Sequence, residues 1–290
     1  IEAGIPVGLF QLCLGKGSQV GSFLCGNNRI AGVAFTGSTQ VAKQIKQSLI
    51  DCGNIEARLI AETGGLNAMV VDSTALFEQV TRDVIDGAFK SAGQRCSALR
   101  ILLLQEDCYD EALSMIKGAM KEIGFGDPKY LDVDCGPVIN LAAQIKLQNY
   151  IDKARQNNQI IEELDFQSKN GYFVSPTLIR IESMDEINEE FFGPILHVLS
   201  YRNKDLEKTI DQLNSKGFGL TFGIHSRIEH KVQDISSKIN AGNIYINRNQ
   251  IGAVVGSQPF GGEGLSGTGP KAGGPNTLHG YSQNLLCGET

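Results

Sequence analysis

Residues 93–105, with the sequence GQRCSALRILLLQ, join a short polar turn to a near-continuous apolar run. The run from Leu99 to Gln105 predicts a strand that is buried on both faces, as the strands of parallel sheets are. Cys96 lies just before this strand, after a glycine and an arginine. A second polar group, Glu62-Thr63-Gly64-Gly65, lies upstream of it. We therefore interpret Cys96 as a candidate nucleophile and Glu62 as its candidate base.

Strand and helix patterns alternate on both sides of this stretch. Apolar spacing predicts strands at 30–35, 58–62, 67–71, 99–105, 172–181, 195–201, 220–225 and 242–247, and helices at 41–49, 76–92, 107–122, 140–158, 185–190, 204–215 and 227–239. Alternation of this kind predicts an α/β fold with largely parallel sheets and flanking helices. Residues 252–274 are instead rich in glycine, and long ordered loops of this kind are often functional.

Length, charge and cysteine content narrow the class of protein. A chain of 290 residues can bury a substantial core and would usually divide into two domains. Its net charge of −6 offers no basic surface to nucleic acid, and no apolar run approaches the roughly 18 residues that span a bilayer. The cysteines are irregularly spaced and form no Cys-x-x-Cys pair. This pattern argues against disulfides or a metal site and favours a cytoplasmic location.

The predicted strand at 30–35 leads through Thr36-Gly37-Ser38 into a helix whose apolar face begins at Val41. A hydroxyl at Ser38 or Thr39 would cap that helix. A strand, a glycine-serine turn and a helix N-terminus together form a geometry that suits a phosphate group. The same turn also occurs where it only turns and caps the chain, so both interpretations stay open.

Five motifs occur in the order and spacing of one known family. On these motifs the chain resembles the aldehyde dehydrogenase superfamily: Phe35-Thr-Gly-Ser38, Glu62-Thr-Gly-Gly65, Gly93-Gln-Arg-Cys96, Glu190-Phe-Phe-Gly-Pro194 and Pro259-Phe-Gly-Gly262. Residues 95–100 and 252–274 further resemble the 1-pyrroline-5-carboxylate dehydrogenase domain of the bacterial proline utilization A enzymes. The resemblance covers essentially the whole chain and implies an aldehyde dehydrogenase-like fold.

The resemblance also implies how the chain is divided. Residues 1–64 would form the C-terminal part of a Rossmann-type NAD-binding domain, and residues 65–262 the catalytic domain. Residues 263–290 would return as a glycine-rich segment to the cofactor or oligomerisation region. Members of the family extend further upstream and form homo-oligomers. A chain that opens at Ile1 without methionine reads as part of a longer protein, and we expect these residues alone to bind NAD poorly and to turn over little substrate.

The activity implied by the resemblance is oxidation of L-glutamate γ-semialdehyde to L-glutamate. Cys96 would form a thiohemiacetal with the aldehyde, and its hydride would pass to NAD to leave a thioester. Glu62 would activate the water that hydrolyses the thioester. A cationic neighbour or helix-end amides would lower the pKa of the thiol, and the backbone N–H of Cys96 would stabilise the oxyanion. FAD would belong only to a separate upstream domain that oxidises proline.

The NAD-binding residues carry over from the family in the same way. Ser38 matches a position at the pyrophosphate, and Gly37 would allow its close approach. Glu190 matches the carboxylate that binds the nicotinamide ribose, and Phe192 the aromatic group near that ring. Plain core packing is the alternative for Phe192 and for its neighbour Phe191, where we expect it to hold.

The substrate-binding residues implied by the family lie on two segments. Ser97 and the backbone amides of Gly252 and Ala253 match an anchor for the substrate carboxylate, since glycine lets amides converge on an anion. Phe260 would pack against the aliphatic part of the substrate. The alternative is a loop that only supports the site.

Two further functions stay open at this stage. The chain would otherwise be an aldehyde dehydrogenase for another semialdehyde, such as succinate semialdehyde, or a catalytically silent fragment with a structural role. His197 and His225 fall within predicted strands and match no catalytic position. We therefore expect both to be satisfied histidines of the core or the surface.

Overall fold

The computed structural model describes residues 3–165, 171–254 and 256–282. By the contacts within the chain it divides into two compact units, Ile1–Ala61 and Glu62–Thr290. Its helices are α1 Ser22–Cys25, α2 Thr39–Asp51, α3 Phe77–Phe89, α4 Tyr109–Met120, α5 Leu141–Gln156, α6 Leu206–Ser215, α7 Glu229–Lys238 and α8 Thr277–Tyr281. Its strands are β1 Gly32–Gly37, β2 Arg58–Thr63, β3 Ala68–Val71, β4 Ile101–Gln105, β5 Ile160–Glu163, β6 Thr177–Arg180, β7 Ile195–Tyr201, β8 Phe218–Gly219, β9 Thr221–His225, β10 Asn243–Ile246 and β11 Glu263–Gly264.

The first unit contains a strand, a turn and a helix as the sequence predicts. β1 pairs with β2 in a two-stranded sheet, and α2 follows β1 directly. Ser38 caps α2, because its hydroxyl oxygen accepts a hydrogen bond from the Val41 amide at 3.3 Å. The prediction that Ser38 or Thr39 caps this helix is therefore confirmed for Ser38.

The second unit is built on a seven-stranded sheet with the order β10-β9-β3-β4-β7-β6-β5. Neighbouring strands are parallel except β5, which pairs with β6 antiparallel at one edge. The predicted α/β fold with a largely parallel sheet is thus confirmed. A separate antiparallel pair joins β8 to β11.

Apolar cores lie on both faces of this sheet, which explains why its central strands lack polar alternation. Met69 and Val71 of β3 belong to one core with residues of α3, α4 and α5. Ala68 and Val70 of the same strand belong to the other core with residues of α6 and α7. The apolar run that predicted β4 is completely buried, from Ile101 to Leu104.

Two predicted elements differ from the structure, and one strand of the main sheet was not predicted. The strand predicted at 172–181 is shorter in the structure and forms only β6. It begins after Pro176, because proline has no N–H to donate to a neighbouring strand. In place of a helix at 185–190 there is a single 3₁₀ turn, Met184–Glu186, which Ser183 caps. β5 was not predicted, and it is short and only partly buried.

The remaining expectations concern membrane helices, metal sites, cysteines and the division into domains. Within 3–165, 171–254 and 256–282, no helix is long and apolar enough to cross a membrane, and no cluster of side chains could hold a metal ion. Six cysteines in those ranges are free thiols, and Cys287 lies outside the described residues. The functional division at residues 64/65 and 262/263 stays a prediction.

Candidate active site

Cys96 lies in the turn between the end of α3 and β4. Helix α3 gives way to a 3₁₀ segment, Lys90–Gly93, in which Gly93 has a φ of +63°. A Cβ atom at Gly93 would collide with the backbone carbonyl of Gly193, so only glycine fits at this close approach. The chain can therefore turn sharply here. Cys96 is half-buried and lies in this turn, before β4 begins.

Two buried side chains hold the carbonyl groups of this turn. Asn67 donates from Nδ2 to the carbonyls of Cys96, at 2.7 Å, and Ala98, at 2.9 Å. Arg100 donates from Nη2 to the carbonyl of Arg95 at 3.2 Å. In a trans peptide the N–H points away from the C=O, so these bonds direct the amides of Cys96 and Ser97 to the opposite side. Both amides lower the pKa of the Cys96 thiol.

The pKa of the Cys96 thiol is nevertheless raised above its ordinary value. Burial is the largest cause, and the negative charges of Glu190 and Glu62 raise the pKa further. The amide of Ser97 lowers it only in part. The amides thus lower the pKa of the thiol as such groups can, but burial and the two carboxylates outweigh them.

The two carboxylate oxygens of Glu62 have different surroundings. Its Oε2 accepts a hydrogen bond from the Gly262 amide at 3.1 Å, while its buried Oε1 has none among the described residues. A Cβ atom on Gly261 or on Gly267 would come within 3.0 Å of that Oε1. Burial raises the pKa of Glu62, and the Gly262 amide offsets part of the effect. A buried oxygen with a raised proton affinity is the chemistry expected of a general base.

Glu190 is held by a fully buried arginine. Arg100, 1% exposed, donates to Glu190 Oε1 from Nε at 3.2 Å and from Nη2 at 3.0 Å. Position 64 must be glycine, since a Cβ atom there would collide with Glu190 Oε2. Burial raises the pKa of Glu190, and the charge of Arg100 opposes that rise. Phe192 lies at the same place, with its ring centre 5.3 Å from the guanidinium of Arg100.

Sequence reasoning missed two residues of this site, Asn67 and Arg100. Arg100 had a usable signal, since a charge that interrupts a buried apolar run must be paired. Asn67 had none, because an asparagine just before a strand is common at turns. Phe191 was interpreted correctly: it is buried and stacks on Tyr150 with ring centres 3.6 Å apart.

Gly252 and Ala253 lie at the start of the glycine-rich segment. Gly252 is exposed with a φ of +75°, and Ala253 is half-buried. Within the described part of the chain, neither amide donates a hydrogen bond to another group. Phe260 is half-buried and forms a two-way backbone bridge with Ala272. Ser97 is buried next to the nucleophile, 6% exposed.

The second unit therefore contains most of the predicted site residues, while Gly37 and Ser38 lie in the first unit. There the residues fit a phosphate group, because Ser38 begins a helix of 13 residues with no acidic side chain in its first turn. Their place relative to the thiol stays a prediction.

The two strand histidines behave differently. His197 is buried and satisfied, since Nδ1 lies 3.0 Å from the Arg100 carbonyl and Nε2 lies 2.8 Å from the Tyr150 hydroxyl. His225 was expected to be satisfied, but its Nε2 has no hydrogen-bond partner among the described residues. Asp83 Oδ2 lies 3.4 Å away and is equally unpartnered. Burial lowers the pKa of His225 to about 4, so the pair is not a charged salt bridge at neutral pH.

Comparison with known proteins places these motifs in context. The profile of the aldehyde dehydrogenase family matches residues 1–285. The bifunctional protein PutA of Klebsiella aerogenes is 47% identical over 289 residues, which are 96% of this chain and 22% of that protein.

Solved structures show the same similarity in three dimensions. A variant of proline utilization A from Bradyrhizobium japonicum superposes with a TM-score of 0.92 at 46% identity, over 97% of this chain and 28% of that one. A 1-pyrroline-5-carboxylate dehydrogenase from Thermus with bound NAD gives 0.89 at 32% identity, over 97% of this chain and 55% of that one. The chain thus spans about a fifth to a half of the length of these proteins.

Proposed function

The chain belongs to the aldehyde dehydrogenase family, and from this membership we propose that it oxidises L-glutamate γ-semialdehyde to L-glutamate with NAD. One observation carries the proposal. Cys96 lies in a turn whose carbonyls are bound by Asn67 and Arg100, and Glu62 presents a buried Oε1 that is unpartnered in the described chain. The similarity to a Thermus protein that is named for this reaction, and was solved with NAD, supports the substrate and the cofactor.

Cys96 begins the reaction as the nucleophile. Its thiol loses a proton, and the sulfur forms a bond to the aldehyde carbon while the carbonyl electron pair moves to the oxygen. The backbone N–H of Cys96 stabilises that oxyanion, and Asn67 and Arg100 hold the peptide groups that aim the amides. The thiol proton leaves to solvent, so Glu62 remains unprotonated for the later hydrolysis step.

The residues assigned to NAD are Gly37 and Ser38 at the phosphates, and Glu190 and Phe192 at the nicotinamide end. NAD supplies, when bound, the acceptor for the hydride that leaves the thiohemiacetal carbon. Arg100 holds the Glu190 carboxylate in one orientation, so that this group is positioned before a ribose hydroxyl arrives.

Glu62 completes the cycle as a general base. Its free Oε1 takes a proton from water while the water oxygen bonds to the thioester carbon. The carbon–sulfur bond then breaks, the thiol returns to Cys96, and the product leaves as a carboxylic acid. Gly261 and Gly267 leave the space beside Oε1 that this proton transfer needs.

The substrate carboxylate binds at the amides of Gly252 and Ala253 and at the hydroxyl of Ser97. Phe260 packs against the methylene groups between the carboxylate and the aldehyde. Anion binding of this kind suits Gly252, whose positive φ lets neighbouring amides converge.

Kinetics with the full-length protein tests the proposal. We expect NADH formation from glutamate semialdehyde with a kcat/KM about a hundredfold above that for pentanal, an aldehyde of the same length without the carboxylate. Cys96→Ala should abolish activity with both. Equal or better use of pentanal would contradict the carboxylate anchor, and a preference for succinate semialdehyde would change the substrate.

We also propose that the protein is cytoplasmic and forms homo-oligomers, as the family resemblance and the free cysteines suggest. Sedimentation equilibrium of the full-length protein tests the second point, and a monomer across the micromolar range would contradict it.

A further inference from the structure

The segment that carries the free amides of Gly252 and Ala253 is tied to the nucleophile turn by side chains that are completely buried. Gln250 lies two residues before Gly252 and is 0% exposed. Its Nε2 donates to the Thr221 hydroxyl oxygen at 3.1 Å. Thr221, 3% exposed, donates in turn to the carbonyl of Ser97 at 3.4 Å.

Asn67 closes this connection from the other side. Its Oδ1 accepts a hydrogen bond from the Thr221 amide at 3.1 Å, while its Nδ2 binds the carbonyls of Cys96 and Ala98. The three successive carbonyls of residues 96–98 thus all accept bonds from Asn67 or Thr221. We call Asn67, Thr221 and Gln250 the buried link.

The space for Gln250 depends on a missing side chain. A Cβ atom at Gly223 would lie 2.5 Å from Gln250 Oε1 and 3.1 Å from Met69 Cγ. The carboxamide therefore fills the position beside β9 that any larger residue at 223 would occupy. A displaced Gln250 would lose either this site or its bond to Thr221.

The buried link joins the two points that a substrate must touch at once. One end of an amino-acid semialdehyde carries the carboxylate and the other carries the carbonyl that Cys96 attacks. Hydrogen bonds among buried neutral groups are strong and hold their partners in one arrangement. A link of this kind keeps the distance from the anchor amides to the thiol constant, and misplacement by about 1 Å can cost about a hundredfold in rate.

We propose that Asn67, Thr221 and Gln250 are positioning residues that select substrate length, by holding the carboxylate anchor at one distance from Cys96. The inference rests on the proposed function, since it assigns the anchor to Gly252 and Ala253. The link touches no substrate atom and acts only through the two segments that it joins.

The test compares three semialdehydes that differ by one methylene: those of aspartate, glutamate and 2-aminoadipate. Thr221→Val in the full-length protein keeps the shape of the side chain and removes both hydroxyl bonds. We expect kcat/KM for the preferred length to fall about tenfold, mainly through KM, while the neighbouring lengths change by less than about threefold. Thr221→Ser should restore the wild-type ratios, and pentanal, which has no carboxylate, should be unaffected.

Two more variants provide a second disruption of the buried link and a control. Gln250→Met cuts only the bond to Thr221 and should also reduce the discrimination, which serves if Thr221→Val does not fold. Thr177→Val is the matched control, since Thr177 is a buried strand threonine whose hydroxyl binds the Ser175 carbonyl at 2.8 Å, away from the buried link. It should leave all ratios unchanged.

Other results would overturn the inference. Unchanged length discrimination in both Thr221→Val and Gln250→Met would do so, as would an equal loss with every aldehyde including pentanal, which marks a purely structural role. Failure of the proposed function looks different, because the wild-type protein would then show no preference for any carboxylate-bearing aldehyde.

Discussion

At the level of single residues, the thiol of Cys96 and the carboxylate of Glu62 disfavour each other's ionised form. Burial raises the pKa of both Cys96 and Glu62, and the charge of Glu62 raises the pKa of the thiol further. The free protein therefore holds both groups closer to their protonated forms than they would be in water.

Removing the charge of Glu62 should make the thiol ionise more easily. We expect Glu62→Gln to shift the pH dependence of Cys96 alkylation by iodoacetamide to lower pH, because one of the negative charges that oppose the thiolate is gone. Mass spectrometry of the Cys96 peptide measures the rate. Glu189→Gln is the control, an exposed carboxylate paired with Lys146, and should leave the profile in place. A shift to higher pH would contradict the electrostatic explanation.

Arg100 should be needed for stability as well as for the site. Arg100→Met leaves Glu190 in a largely buried position without its cation, and breaking such a pair costs about 3–5 kcal/mol. Arg202→Met removes an exposed pair with Asp205 and should cost about 0–1 kcal/mol. Urea unfolding followed by far-UV circular dichroism measures both, since the chain has no tryptophan. Equal losses in the two variants would show that the Arg100 pair is not important for stability.

The sequence was sufficient for the reacting groups but not for the residues that hold them. Cys96 and Glu62 stood out because a motif carries each, whereas Asn67 and Arg100 act through backbone carbonyls. Which carbonyl a buried side chain reaches depends on the folded backbone, and spacing along the chain does not contain that information.

At the level of elements, the glycine-rich segment packs directly around the base. Gly267 pairs with Glu62 as an isolated bridge, and a Cβ atom there would lie 3.0 Å from Glu62 Oε1. The glycines are required here by space rather than by backbone conformation.

Gly267→Ala should therefore reduce activity, and it should also lower stability, because the added Cβ would lie 2.7 Å from the backbone oxygen of Gly262. We expect turnover to fall at least about tenfold, because the new methyl group displaces the carboxylate oxygen that accepts the proton of water. Rapid-mixing kinetics should still show a burst of NADH, since attack by Cys96 does not need that water. Gly118→Ala is the control on α4, where a Cβ atom has no neighbour within 4 Å. Loss of the burst together with turnover would contradict this role.

The elements that were predicted correctly are those whose signal is local. β4 is predicted by its own apolar run, and α2 by its cap and its periodic face. β5 could not be predicted in this way, because it is a partly buried edge strand whose order comes from pairing with β6. The strand predicted at 172–181 failed for a reason that was visible: Pro176 within it removes a donor.

At the level of the whole molecule, buried histidines make stability depend on pH. Burial lowers the pKa of His197, as of His225, to about 4, below the ordinary value of about 6.5. As the pH falls below 6.5, these histidines bind protons in the unfolded chain but not in the folded chain. Stability present at neutral pH is therefore lost between about pH 6.5 and about pH 4, by up to about 3 kcal/mol for each histidine.

His197→Gln should weaken that dependence. We expect the urea midpoint of the wild-type protein to fall from pH 7 to pH 4.5, and the variant to lose less over the same range. The raised pKa values of Glu62, Asp83 and Glu190 act in the opposite direction and are common to both proteins. His230→Gln, at an exposed position on α7, should behave as the wild type. An undiminished loss in His197→Gln would contradict the assignment.

The raised pKa of Cys96 has a consequence for the lifetime of the protein in an oxidising cell. Hydrogen peroxide reacts with thiolates far more readily than with thiols, and the first product, a sulfenic acid, is the start of irreversible damage. A nucleophile that rests in its protonated form, beside two carboxylates and half covered by protein, is a poor target. The same burial and charges that disfavour its ionisation therefore protect the resting enzyme from inactivation between turnovers.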